Sequence, residues 1–453
     1  WPDAVLTPPI AAPHERAAAT WTRATALVEL FRSRMGMLGP VVPRLLGEPL
    51  AIDAGETGNA LLDLEGEGVV LRGWFSKGPG SWVDPEWCDR RLLARIHRAT
   101  LQRLRAEIQP ITPADFMRFL FEWQHLTPSS RLRGVEGVRT VIGQLDGFEL
   151  AADAWDRHVL PARVADYDPS MLDLLCYSGD TAWARLTEPP QVPVSALLPP
   201  RPVRATPVAL FVRDHGRAWR GLAASQESRK VSDAGAAVLN VLERGAQFVH
   251  GIADALAMPI DDVRIALSEL VWAGLVASDG FSGLRAIWSD QSASRRSAAS
   301  PGGRWSRLEE EPAAGREAAL EAYAETLLRR YGIVCRRLLA REPYGVRWRE
   351  LLPIYRRLEA RGDVRGGRFV SGLPGEQFAL ANAVALARET RRRKTSGETV
   401  TISAADPLNL CGIITAGERV PAVAATSISF LDGLRVGDGA AAVDQAELRR
   451  LIG

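Results

Sequence analysis

"RRLEARGDVRGGRF", residues 356–369, ends an apolar helical pattern on a glycine and restarts it as a short alternating stretch. Leu358 is followed by Gly362, Val364 and Phe369. The same spacing returns in "LDLEGEGVVLRGWF" (62–75) as Leu64, Gly68, Val70 and Phe75. It returns again in "SELVWAGLVASDGF" (268–281) as Leu270, Gly274, Val276 and Phe281. Helix-period leucines that stop at a glycine predict a helix closed by a left-handed cap. An alternating stretch around Gly or Asp-Gly predicts a short hairpin. Two shorter helical patterns precede each copy, as in "DAGAAVLNVLERGAQFVHGIADAL" from Asp233 and "EAYAETLLRRYGIVCRRLLARE" from Glu321. Three helices and a hairpin make a winged helix, a variant of helix-turn-helix. The copies are unequally spaced, so they are reused modules rather than a solenoid.

Working outward, the chain divides into a winged helix at 22–80 and a mainly helical module at 88–190. A proline-rich linker with strands follows at 191–231, then a winged helix at 232–288 and a polar, low-complexity linker at 289–316. A basic winged helix is expected at 317–395. From 396 to 453 the pattern turns to alternation with Asp-Pro, Ala-Gly and Asp-Gly punctuation, which predicts a small β-barrel or meander closed by a short helix in "DQAELRRLIG". The fold class is therefore α+β, mainly helical. Within 88–190, "DRRLLARIHRATLQRLRAEI" (89–108) is amphipathic, and "TPADFMRFLFEW" offers Thr112 as N-cap with Pro113 at the first helical position.

Composition excludes several classes. The four cysteines form no CxxC pair and the six histidines show no metal spacing, so neither a zinc ribbon nor a disulfide scaffold is indicated. No run approaches the roughly 18 apolar residues of a membrane span, and no membrane partner is expected. The start at Trp1, with neither methionine nor signal peptide, fits a cytoplasmic segment of a longer polypeptide. Net charge is only +2, yet of the 56 basic residues only Lys77, Lys230 and Lys394 are lysines. Anion sites here are thus built from planar guanidinium forks.

The arginines are concentrated. Between Arg329 and Arg368 twelve of them face four carboxylates. A winged helix sets one helix in a groove and its wing over phosphates, so this density suits a nucleic-acid footprint. Arg336, Arg337, Arg347, Arg349, Arg365 and Arg368 are its candidates, with Arg72 and Lys77 in the wing of the first module. A solvated arginine-rich face is the plainer alternative.

"EGVVLRGWF…EWCDRRLLARIHRATLQRLRAEIQPITPADFMRFLFEWQHL", "LPARVADYDPSMLDLLCYSGDTAWARL", "RRYGIVCRRLLAREPYGVRWRELLPIYRRLEARGDVRGGRFVSGLPGEQFAL" and "ISAADPLNLCGIITAGERVPA" resemble, in order, the C-terminal region of the bacterial large helicase-related (Lhr) proteins. The resemblance implies an N-terminal helicase core of the same polypeptide that burns ATP with Mg and moves on single-stranded DNA. This segment has no GxxxxGK[ST] loop, so ATP and Mg belong to that core and no cofactor is expected here. It also implies DNA repair, a bacterial, nucleoid-associated location, and DNA, single-stranded or damaged, as partner.

That region is in turn similar to the AlkZ-type DNA glycosylases, which join winged helices to a β-barrel. The resemblance implies a catalytic Gln–apolar–Asp motif at Gln144-Leu145-Asp146, and an aromatic-Asp-Pro helix start at Tyr167-Asp168-Pro169. If the helix containing Val138, Val141 and Ile142 ran on through Gly147, Gln144 and Asp146 would point about 200° apart. If the chain became extended before the glycine, both would face one cleft, with Leu145 plugging the core. Asp146 would then activate water or stabilise the sugar cation, and Gln144 would orient the water. The target base would have to leave the stack. His158 is a candidate phosphate contact, and Trp123 and Gln124 are candidate cleft walls. The plainer reading has Asp146-Gly147 as a turn and Asp168 as an N-cap. A non-catalytic scaffold for protein contacts or homo-oligomerisation is the alternative to a glycosylase.

Overall fold

The computed structural model describes residues 5, 7–11, 13–18, 20–76, 84–106, 108–187, 203–223, 231–288, 303–308 and 314–437. The chain forms two compact units, Trp1–Glu107 and Ile108–Gly453. Lys77, nearly half of the 191–231 linker, most of the 289–316 linker and the expected closing helix lie outside the described residues.

In the first unit α1 (Arg23–Met35), α2 (Pro43–Gly47) and α3 (Ala54–Gly66) lead into β1 (Val70–Gly73), which pairs antiparallel with β2 (Glu86–Asp89). The Thr22 hydroxyl accepts from Thr25 N–H to start α1, and Asp53 accepts from Gly55 N–H to start α3. Phe31, Leu61, Leu64, Val70 and Trp87 share one core. α4 (Arg90–Ala106) follows β2, its first turn held by the Asp89 carboxylate on Arg91 and Leu92 N–H.

The second unit opens with α5 (Pro113–Trp123), β3 (Leu132–Arg133), α6 (Gly134–Leu145) and β4 (Glu149–Ala151). After the helical turns of 152–163 come β5 (Val164–Ala165), α7 (Pro169–Tyr177), β6 (Thr181–Ala184), β7 (Pro207–Val212) and α8 (Gly216–Leu222). β3 and β5 pair in parallel, and β4, β7 and β6 form an antiparallel sheet in that order. Thr112 caps α5 and Asp168 caps α7, each ahead of a proline.

Next come α9 (Asp233–Leu242), α10 (Val249–Leu256), α11 (Ile260–Trp272), β8 (Val276–Ser278), α12 (Phe281–Trp288) and β9 (Trp305–Arg307). Then α13 (Arg316–Tyr331), β10 (Ile333–Cys335), α14 (Trp348–Arg361), β11 (Arg365–Gly367) and β12 (Gln377–Ala379) build a helix pair with a three-stranded wing in the order β10–β12–β11. α15 (Ala381–Arg392) leads to β13 (Thr399–Ser403), β14 (Ser427–Leu431) and β15 (Leu434–Arg435).

The repeated Leu-to-Gly spacing has one physical meaning in all three places. Gly68, Gly274 and Gly362 have φ of 72°, 66° and 87°. The N–H after each glycine returns to the carbonyl of the repeat leucine, Val69 to Leu64, Leu275 to Leu270 and Asp363 to Leu358, each at 2.9 Å. This is the six-to-one bond that closes a helix on a left-handed residue.

Two expectations are corrected. Among the described residues no sheet closes into a barrel: β13, β14 and β15 form an open antiparallel sheet. The intervening 404–426 holds none of its strands because buried side chains fold it into turns. Asp406 accepts from Leu408 N–H and is paired with Arg163, while Asn409 donates to Ala404 and Val420 carbonyls. In the 232–288 module the chain does not turn back at Asp279-Gly280. Phe281 instead starts α12, and β8 pairs with the distant β9. Ser278 Oγ, which donates to the Gly280 carbonyl, and the Asp279 carboxylate on Arg304 N–H hold this exit.

Candidate active site at the end of α6

α6 buries Val138, Val141, Ile142 and Leu145 along one face, and its last residue is Leu145. Asp146 leaves the helical region (φ −40°, ψ 118°), and Gly147 has φ 74°. A Cβ at 147 would sit 2.7 Å from the Trp219 indole, so both conformation and space demand glycine there. The carbonyls freed by this ending are satisfied from a distant part of the chain. Arg330 Nη2 donates to Asp146 O at 2.7 Å and to Leu145 O at 3.3 Å, and Tyr344 Oη donates to Gly147 O at 2.6 Å. A cation at a helix C-terminus also opposes the helix dipole. Arg330 is itself fully buried and ion-paired with Glu342, which accepts from Tyr331 at 2.8 Å and Tyr323 at 3.1 Å. Burial, with the Glu342 charge beside them, pushes both tyrosines well above their usual range.

The Asp146 carboxylate has no exposed surface. Its Oδ1 accepts from Val212 N–H and Trp219 Nε1–H, both at 3.1 Å. Its Oδ2 lies 2.5 Å from His215 Nδ1 and 3.6 Å from the Arg329 guanidinium. His215, in the tight turn Arg213–His215, keeps about a third of its side chain exposed. The hydrogen bond to Asp146 raises its pKa above the ordinary 6.5, against the effect of partial burial. Gln144 is buried. Its amide donates to Trp123 O at 2.8 Å and Arg329 O at 3.4 Å, while its Oε1 has no hydrogen-bond partner among the described residues.

Extended chain thus begins one residue later than the two-facing geometry requires: Gln144 is still helical and only Asp146 has left the helix. Both side chains nonetheless converge on Arg329, one at its carbonyl and the other at its guanidinium. Trp123 donates to that same carbonyl at 2.9 Å, and Gln124 donates to Arg330 O at 2.8 Å, so both expected walls are close by. His158 is half-buried in the turn Trp155–Val159, and among the described residues nothing hydrogen-bonds it to Gln144 or Asp146. Tyr167 donates to Asp156, whose other partner is Arg285, and Asp168 serves α7 as a cap. Sequence reasoning did not single out His215, Trp219 or Arg330 for this site. A cavity of about 140 Å³ lies elsewhere in this unit, lined among others by Arg118, Glu122, Arg393, Lys394 and Asp432. Among the described residues no three metal-ligating side chains cluster, and no helix is long and apolar enough to cross a membrane.

Six of the basic candidates lie on one module, 317–395. Arg336 and Arg337 occupy the turn after β10, Arg347 and Arg349 the start of α14, and Arg365 and Arg368 the wing at β11; all six are exposed. None of them is ion-paired among the described residues, whereas Arg356, Arg357 and Arg361 are matched with Glu376, Glu321 and Asp363. Arg72 lies over the Trp87 ring at 5.5 Å in the first unit.

Two stretches of the chain resemble the winged-helix domains of the large helicase-related proteins. Residues 111–199 and 313–399 each match a family description reading "large helicase-related protein, winged-helix domain". The first match likens to a winged helix a region that the leucine–glycine repeat did not mark. Its strand β4 follows Gly147 at once, and the partner β7 lies far along the chain.

The chain resembles these Lhr winged-helix domains and, more distantly in structure, the AlkZ-type proteins. It is 29% identical over 385 residues to the "Lhr helicase/probable uracil glycosylase" of Mycolicibacterium smegmatis, covering 76% of this chain and 24% of that protein. It is 28% identical over 376 residues to the "Lhr helicase/uracil glycosylase" of Escherichia coli, covering 72% and 23%. The chain therefore spans about a quarter of the length of these curated relatives. The solved structure of Streptomyces sahachiroi DNA glycosylase AlkZ aligns at 12% identity and a TM-score of 0.42, over 73% of this chain and 88% of that one.

Proposed function

We propose that this chain is a DNA-binding region of an Lhr-type repair helicase, and that its Gln144–Asp146 site hydrolyses the N-glycosidic bond of a damaged or deaminated base. The observation that carries the reading is the broken end of α6. A buried carboxylate there is gripped by a histidine, an indole and an arginine beside a glutamine whose carbonyl oxygen has no hydrogen-bond partner among the described residues. A buried carboxylate that holds a partly exposed imidazole is an arrangement suited to acid–base chemistry. Both curated relatives are named as uracil glycosylases, which makes uracil the first substrate to try. The arginines without ion-pair partners in the 317–395 module supply the hold on phosphate, and a helicase core of the same polypeptide supplies the strand.

Release of base from uracil- and alkyl-base-containing single-stranded oligonucleotides, read as alkali-sensitive incision, tests this. Asp146→Asn is expected to lower the rate at least about 100-fold, the usual cost of disabling an acid–base site. Equal incision by wild type and Asp146→Asn removes the site from consideration.

A further inference from the structure

Resting on the glycosidase reading, the geometry points to His215 as the group that handles the water, with Asp146 behind it as its anchor. An ionised carboxylate offers about four lone-pair directions. Three of those of Asp146 are taken by Val212 N–H, Trp219 N–H and His215, the Arg329 guanidinium stands 3.6 Å from the fourth side, and the carboxylate has no surface facing solvent. Enclosed in this way, Asp146 has no open face from which to take a proton from water. His215 is placed the opposite way. Its Nδ1 is fixed on Asp146 at 2.5 Å, which turns Nε2 away from the carboxylate, on a ring whose side chain is 35% exposed. Among the described residues the ring makes no other hydrogen bond. The mount is stiff: the turn carrying His215 lies between β7 and α8, and both of these also donate to Asp146, through Val212 and Trp219.

The reaction balances with water alone. Neutral His215 accepts a water proton on Nε2 while the water oxygen bonds to the anomeric carbon of the deoxyribose. The carbon–nitrogen bond breaks and its electron pair leaves with the base. The imidazolium, held by Asp146, returns the proton to that base. Arg329 stands 3.6 Å from Asp146 with its side chain 42% exposed, and so puts a cation on the same side as the developing negative charge.

The charged groups facing the imidazole are Asp146 from α6, Arg329 from α13 and Asp214 of its own turn. Asp146 and Asp214 raise its pKa and Arg329 lowers it, with the net displacement above 6.5. A base must be neutral to act, so the rate should climb with pH through that raised value. Without the Asp146 charge the climb should move to lower pH.

The test is single-turnover release of uracil from a single-stranded oligonucleotide by the whole chain, from about pH 5.5 to 9. His215→Ala is expected to lose roughly 100-fold or more, to lose the acid limb, and to regain rate on addition of free imidazole. His215→Gln still donates to Asp146 but takes up no proton, so it should fold, by its circular dichroism melt, and be equally inactive. Full activity in His215→Gln, alongside an inactive Asp146→Asn, overturns the histidine assignment and leaves the site standing. An acid limb that persists in His215→Ala, or no imidazole rescue, also overturns it. A wild type that releases neither uracil nor alkylated bases overturns both this assignment and the glycosidase reading.

Discussion

Gly147 is the residue on which the site depends. Its φ of 74° places it where L side chains are strained, and Trp219 fills the space in which a Cβ would stand. Strain and overpacking each cost about 1–3 kcal/mol. Gly147→Ala should therefore destabilise the chain by about 3 kcal/mol, seen as a lower urea midpoint with an unchanged slope. Gln144 and Asp146 were visible as a triplet before a glycine because their meaning is local: a helix ends and a turn begins. Their partners were not. Val212, His215 and Trp219 come from 66, 69 and 73 residues along the chain, and no spacing rule joins a histidine in "RDHGRAW" to a carboxylate so far upstream. Arg329 and Arg330 were counted as basic residues. Their separate work, one outward toward Asp146 and one inward under two carbonyls, depends on how α13 packs against α6.

At the scale of elements, the leucine–glycine spacing was legible because one backbone device closes all three helices, and that device needs a residue free to adopt positive φ. The barrel was misread for a related reason. Alternation and turn residues announce strands and reversals, but they do not distinguish a strand from a turn-rich coil wrapped around buried polar side chains such as Asp406 and Asn409. The join between α13 and α6 rests on Arg330, and Arg330 rests on Glu342. Glu342→Gln leaves a fully buried guanidinium without its counter-charge, and breaking such a pair costs about 3–5 kcal/mol. The thermal midpoint should fall accordingly. Since Arg330 also caps α6, base release should fall with it, even though Glu342 hydrogen-bonds neither Gln144 nor Asp146.

Across the whole molecule, charge is nearly balanced at +2, so any grip on DNA must come from where the arginines lie rather than from how many there are. The unmatched set at the turn after β10, the start of α14 and the β11 wing is where binding should concentrate. Affinity for single-stranded DNA is expected to drop steeply between about 50 and 200 mM salt, and each alanine at Arg349, Arg365 or Arg368 should lower the log–log salt slope by about 1. Anisotropy titrations at several salt concentrations read both. A slope indifferent to all three substitutions would move the footprint elsewhere. The make-up of the site carries a last consequence for how such a protein could be inherited in pieces. Asp146 belongs to one matched stretch, 111–199, and Arg329 with Arg330 to the other, 313–399, while Val212, His215 and Trp219 fall in the seam between them. Either stretch, shuffled alone into another gene, would carry its own winged-helix pattern and leave this cluster of side chains behind.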